Sequence, residues 1–327
     1  MSEPFEPPAQ PPLPQFEVAL AAPDLGPWRE GNTGVAGFTT RAGDRPGPHV
    51  ALVSLVHGNE IAGAIVLARL LAAGLRPARG RLSFGFANLA AFDRFDPAHP
   101  TASRFVDEDL NRLWDAAALD GPRHSVELDR ARQMRPLIDT VDVLLDLHSM
   151  LWASEPLVLS GGTPKGRALA QAIGQPELVV ADQGHVSGRR IIDYGRFADP
   201  AARQVAVLVE AGQHWEQPTV AMSLAAVAGL LRHLDMRTAH PALPPPPART
   251  HPRFAEVTTV VTAATANFAF VRPFRGGDMI AERGTLIAID GEEEVRTPHD
   301  ECLLVMPSLR PSRGHTAVRL ARLTAPS

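Results

Sequence analysis

Apolar residues along this chain fall into two periods, one suited to strands and one to helices. HVALVSLV, at 49 to 56, is a continuous apolar run of strand length. IAGAIVLARLLAAG follows it with apolar positions at helical spacing and closes on Gly74, a residue that can take the left-handed conformation at a helix end. RLSFGFAN, at 81 to 88, reads as the next strand and completes a strand, helix, strand unit. Further on, 124 to 139 reads as a helix, TVDVLLDLH as a strand, TPKGRALAQAI as a helix, PELVVAD and RQVAVLVEAG as strands, and TVAMSLAAVAGLLRHL as a long helix. Such alternation predicts an α/β fold, with a mostly parallel or mixed sheet flanked by helices.

The pattern changes at HPALPPPPARTHP, where consecutive prolines rule out helix and sheet interior and supply a semi-rigid linker. Beyond it EVTTVVTA, NFAFVRP, GTLIAID and ECLLVMP are short β-rich runs separated by glycine and charged turns, which predicts a small β domain. Their order resembles the barrel-sandwich arrangement of lipoyl-type domains, but no lysine occupies the hairpin where a cofactor would be attached. At the other end, MSEPFEPPAQPPLPQ is too rich in proline to contribute to a core. The expected organisation is thus an extension at 1 to 15, an α/β domain at 16 to 240, a linker at 241 to 252 and a β domain at 253 to 327.

Composition narrows the function classes. The 45% hydrophobic content suits a packed soluble protein, and the net charge of −4 arises from 32 basic and 36 acidic side chains that are interspersed along the chain. No basic stripe points to nucleic acid, no apolar run reaches membrane-spanning length, and the N-terminus lacks the form of a signal peptide, so a cytoplasmic location is expected. The single cysteine, Cys302, excludes an internal disulfide and is read as a packing residue.

Polar chemistry concentrates at three strand ends. In an open α/β sheet ligands bind outside the carboxyl ends of the strands, and there the sequence places His57 and Glu60, His148, and Glu210. If the strands are neighbours, all four side chains can meet. Two histidines and a carboxylate form a ligand set for catalytic zinc, with the fourth position left for water, whereas structural zinc sites favour cysteine. Taken singly, an H-x-x-E pair arises by chance, a histidine after LLD can be a core residue, and a glutamate after VAVLV can begin a loop. Their joint placement points to a metal site. Asp146 is read either as an acceptor that orients a ligand histidine or as a simple strand-end cap, and His185 and His214 as structural or solvent-facing.

HGNE at 57 to 60, SRFVDEDLNR at 103 to 112, DLHS at 146 to 149 and VLVEAG at 207 to 212 together resemble the succinylglutamate desuccinylase and aspartoacylase family, whose fold is similar to that of zinc carboxypeptidases. The resemblance runs from about residue 30 to the end of the chain. It implies one zinc ion per chain held by His57, Glu60 and His148, with Glu210 as the general base acting on water. By the same resemblance Arg104 polarises the scissile carbonyl, and Asn111 with Arg112 holds a substrate carboxylate. The activity implied is hydrolysis of the amide bond of a small N-acyl amino acid, with a zinc carboxypeptidase acting on short peptides or a non-catalytic binding module as alternatives. The expected partner is that small molecule, and assembly into a homo-oligomer is left open.

One departure bears on the substrate. Members that cleave acetylaspartate hold a second carboxylate with further arginine and tyrosine side chains, the tyrosine coming from the C-terminal region. Here the only tyrosine is Tyr194, and SGRRIIDYGR offers Arg189, Arg190 and Arg196 as anion partners without fixing which. A neutral or differently shaped acyl amino acid is compatible with this departure.

Overall fold

The computed structural model describes residues 15–182, 184, 188–245 and 252–324. Nearly all of the expected N-terminal extension, part of the expected linker (246–251) and His185 lie outside the described residues. In chain order the elements are β1 (Phe38–Ala42), β2 (His49–Ser54), α1 (Ile61–Ala72), β3 (Arg81–Phe86), α2 (Leu89–Phe92), α3 (Ala116–Asp120), α4 (Val126–Ile138), β4 (Val143–Met150), β5 (Leu157–Leu159), α5 (Pro164–Ile173), β6 (Leu178–Ala181), β7 (Val205–Gln213) and α6 (Gln217–His233). The strands β8 (Arg253–Thr262), β9 (Phe268–Phe270), β10 (Met279–Ile280), β11 (Leu286–Asp290), β12 (Glu293–Arg296), β13 (Cys302–Val305) and β14 (Thr316–Thr324) complete the chain. Two compact units result: 18–150 with 156–254, and 151–155 with 255–324 and 15–17.

In the larger unit the strand order is β1-β3-β2-β4-β7-β5-β6. The central strands β3, β2, β4 and β7 run parallel, while β1 is antiparallel to β3 and β5 is antiparallel to β7. This mixed sheet is of the expected class, with β1 and β5 as strands that the apolar pattern did not show. Every residue of β2 and β4 is buried, as continuous apolar runs require when both faces of a sheet are covered. Helix α6 packs against both α1 and α5, and all three lie against the central strands.

Local signals fix the helix ends. After α1, Leu75 N–H donates to Leu70 O and Gly74 N–H to Leu71 O, both at 3.0 Å, with Gly74 at φ +78. This paired closure satisfies carbonyls that the helix end would otherwise leave open. Ser125 caps α4 through Leu128 N–H, and Thr163 caps α5 through Gly166 N–H.

The smaller unit holds β8, β14, β13 and β10 in succession and a three-stranded antiparallel sheet β12-β11-β9. Ile280, Ile287, Cys302, Leu304, Val318 and Leu320 from both sets of strands share one core. Burial pushes the Cys302 thiol up to about 11, in keeping with a packing role. No helix of the described residues is long and apolar enough to cross a membrane.

Candidate active site and metal centre

Strands β2, β4 and β7 are consecutive neighbours in the sheet, so the three strand ends singled out by sequence lie side by side. His148 is in direct register with Glu210 across the parallel pair β4 and β7. Neighbouring strands are about 4.8 Å apart and registered residues share a face, which places the two side chains together by backbone pairing alone. His57 and Glu60 come from the turn between β2 and α1. That turn begins at Leu55, at φ 56, and ends at Glu60, the residue preceding the helix.

One ligand atom from each of His57, Glu60 and His148 lies within 4.8 Å of the others. The Glu60 carboxylate spans the histidines: Oε1 is 2.7 Å from His57 Nδ1, and Oε2 is 3.0 Å from His148 Nδ1. Both imidazoles therefore turn Nδ1 inward. Each far nitrogen meets another carboxylate, His57 Nε2 reaching Asp109 Oδ1 at 2.9 Å and His148 Nε2 reaching Asp146 Oδ2 at 2.7 Å. Asp146 thus takes the acceptor position that the sequence left undecided. Such carboxylate partners fix the tautomer and orientation of a metal-binding histidine.

The chemistry of this donor set fits a divalent cation. Burial alone would raise the Glu60 carboxyl, yet His57 and His148 hold it well below the usual carboxylate range. Burial would likewise lower His148, but Asp146 and Glu60 raise it well above the usual histidine value. Glu60, Asp109, Asp146 and Glu210 bring four carboxylates to this region against the two guanidinium groups of Arg104 and Arg112, so the balance rests on positive charge at the imidazoles or on an ion that they hold. A charge excess in a buried site is costly unless cations offset it.

Arg104 points its guanidinium at the same cluster, with Nη1 3.3 Å from Glu60 Oε1 and Nη2 3.3 Å from Asp109 Oδ2. Nη2 also lies 2.9 Å from His57 Nε2. When His57 Nε2–H donates to Asp109 it has no lone pair to offer, so that approach is packing and the hydrogen bonds of Arg104 go to the carboxylates. Arg112 lies near the same aspartate, Nη2 to Asp109 Oδ2 at 3.7 Å. The place of Asp109 between a histidine and two arginines depends on tertiary folding.

Gly58 explains the compact turn. A Cβ there would come within 2.4 to 2.6 Å of Ala91 C, Phe92 N and Ser103 O, and Gly58 N–H donates to Arg104 O at 3.0 Å. Close backbone approach thus joins the histidine turn to the segment bearing Arg104. Gly58→Ala is expected to cost about 1–3 kcal/mol through overpacking of rigid backbone and to displace both His57 and Arg104. Denaturant unfolding together with metal content would check this; an unchanged midpoint would contradict the packing argument.

Comparison with known proteins now adds to the geometry. The model of the succinylglutamate desuccinylase/aspartoacylase catalytic domain matches residues 46–234, more than half of the chain. The chain belongs to this family. A succinylglutamate desuccinylase of Burkholderia cenocepacia is 26% identical, covering 86% of this chain and 83% of its own length. The crystal structure of succinylglutamate desuccinylase from Vibrio cholerae has a TM-score of 0.66 at 18% identity, over 88% of this chain and 86% of that one. A product-bound ectoine utilization protein from Ruegeria pomeroyi gives 0.60 at 18% identity, over 87% and 88%. The likeness to these solved structures establishes the shared fold. Both parts of the family name denote removal of an acyl group, so the catalytic domain is of a deacylase type.

In this desuccinylase/aspartoacylase chain the DLNR segment is held by residues that sequence reasoning passed over. The buried carboxylate of Glu127 accepts Val106 N–H at 2.6 Å, Asp107 N–H at 3.0 Å and Glu108 N–H at 3.2 Å. Asn111 Oδ1 accepts Ile191 N–H at 2.9 Å, which fixes the orientation of its side-chain amide. Gly188, at φ +143, lies so near that a Cβ would come 2.0 Å from Arg112 O.

The three arginines of SGRRIIDYGR separate clearly. Arg190 is buried, with Nε 2.7 Å from Asp193 Oδ2 and Nη1 3.1 Å from Asp182 Oδ2, so its charge is consumed within the fold. Arg196 donates to Asp139 O. Tyr194 OH donates to Asp139 Oδ1 at 2.8 Å and accepts from Arg135 at 3.1 Å. Among the described residues the Arg189 side chain makes no hydrogen bond or ion pair, whereas the charge of Arg190 is met by two aspartates and Arg196 is held against a backbone carbonyl. His214 is buried, with Nδ1 2.8 Å from Ser149 Oγ, and burial pushes it down to about 4, so it is neutral at pH 7.

Proposed function

We propose that this protein is a zinc-dependent hydrolase that cleaves the amide bond of an N-acyl amino acid or a related small carboxylate, releasing a carboxylic acid and a free amine. The observation that carries this reading is the convergence of His57, Glu60 and His148 beside Glu210 at the ends of three adjacent strands. His57 Nδ1, Glu60 and His148 Nδ1 would hold the ion, and two histidines with one carboxylate favour zinc among divalent metals. Zinc, when bound, supplies Lewis acidity and brings the pKa of water towards about 7.

Glu210, in register with His148, is placed to take the proton of the attacking water and to return it to the leaving nitrogen. Arg104 supplies positive charge where the scissile carbonyl oxygen becomes negative. Asp109 holds His57 in the tautomer that leaves Nδ1 available and keeps Arg104 directed at the site. Arg112 and the Asn111 amide bind the substrate carboxylate, and Arg189 receives any second anionic group on the acyl chain.

Arg112→Lys is expected to raise KM about tenfold or more while metal content stays unchanged, because a lysine loses the planar two-bond fork. An unchanged KM would remove Arg112 from the carboxylate clamp. The reading as a whole is tested by metal analysis of the purified protein joined to a panel of succinyl, acetyl and neutral acyl amino acids and short peptides, with both products detected by mass. Turnover confined to peptides would make it a carboxypeptidase, and tight binding without turnover would make it a binding module.

A further inference from the structure

The chain contains 31 arginines and a single lysine, Lys165. Its position is unusual for a cation. Lys165 lies in the first turn of α5, where the helix dipole disfavours positive charge, and α5 is already capped by Thr163. The helix therefore gives no reason for a lysine there.

The reason lies in what the ammonium touches. Lys165 Nζ is 2.8 Å from Arg196 O, 2.6 Å from Asp199 O, 3.0 Å from Ala202 O and 2.5 Å from Gln204 O. These are four backbone carbonyls from a single stretch of chain, folded around one point. An ammonium has only three protons to donate, so four acceptors exceed its directional capacity. A spherical cation has no such limit, and rings of backbone carbonyls are the groups that replace the hydration shell of potassium. Arginine, with a planar fork in place of a compact charge, cannot occupy the same enclosure. That accounts for the one lysine in a chain otherwise furnished with arginine.

We infer that the carbonyls of Arg196, Asp199, Ala202 and Gln204 form a monovalent-cation site, filled by the tethered ammonium of Lys165 and open to potassium or ammonium once that side chain is cut back. The tethered charge fixes the turn that enters β7 at Val205, five residues before Glu210. Upstream the same segment contains Arg190 and the Ile191 amide that holds Asn111. The site thus lies on the segment between the Ile191 contact with Asn111 and the strand bearing Glu210, and its existence does not depend on which amide the enzyme cleaves.

The test is Lys165→Ala, purified and melted at constant ionic strength in choline, lithium, potassium or ammonium chloride. The expected result is a depressed Tm in choline and lithium and a saturable rise of several degrees in potassium or ammonium, with the wild-type chain indifferent to the cation. A variant that melts alike in choline and potassium overturns the inference. Lys165→Arg is expected to stay depressed in every salt, and full stability of that variant would also count against it. Should neither variant fold, acylation of the wild-type chain decides, because Lys165 is its only ε-amine. Labelling at least tenfold slower in the native than in the unfolded chain is required, and equal rates overturn the proposal.

Discussion

Glu210→Gln is expected to retain its metal and to lose turnover by about two to four orders of magnitude, the usual contribution of a positioned general base. The substitution preserves volume and removes only basicity. Because Glu210 is held in register with His148 by the β4 and β7 ladder, its place does not depend on its charge, and the amide should sit where the carboxylate sat. KM should change little, since Glu210 is assigned no part in gripping the substrate carboxylate. Kinetics and metal stoichiometry measured on the same preparation separate the possibilities. Near-normal kcat at full metal occupancy would exclude Glu210 as the base, and loss of metal would instead make it a fourth ligand.

His57→Ala is expected to abolish activity by a different route, through loss of the ion itself. Glu60 and His148 would remain, but two donors hold a divalent ion far more weakly than three, so the variant should emerge from purification largely metal-free. Asp109→Asn provides the graded comparison. Its amide oxygen can still accept from His57 Nε2–H, yet it no longer supplies the negative charge that lies against the imidazole and pairs with Arg104. Metal affinity, measured by competition with a chelator, should fall about 10–100-fold, the range seen when such outer partners are removed. Full occupancy of His57→Ala would refute the ligand assignment. Wild-type affinity in Asp109→Asn would reduce that aspartate to an ordinary ion pair.

The fold class and the meeting of three strand ends were legible in sequence for one physical reason. Fully buried parallel strands must be continuous apolar runs, so a histidine or glutamate that ends such a run is placed at the sheet rim by the same pattern that identifies the strand. β1, with FTTRA, and β5, with only three residues, carry no such signal, because edge position and shortness erase it. Asp109 and Glu127 escaped for another reason. Both act through partners distant in sequence, 52 residues from Asp109 to His57 and about 20 from Glu127 to the amides it holds, and no local period records that distance. Arg189 and Arg190 are adjacent and chemically alike, and only the two aspartates that surround Arg190 distinguish them.

The grip of Glu127 on three successive amides bears on how this site can change. A carboxylate that binds backbone is indifferent to the side chains those amides carry, so exchange of Val106 leaves this grip in place, while Asp107 and Glu108 add bonds of their own from Val126 N–H and Ser125 Oγ. Length has no such freedom, because one inserted residue would put the amides out of phase with the two oxygens. Variation in the stretch leading to Asn111 and Arg112 should therefore run through substitution, and a change of substrate is more readily reached by rewriting this loop than by extending it.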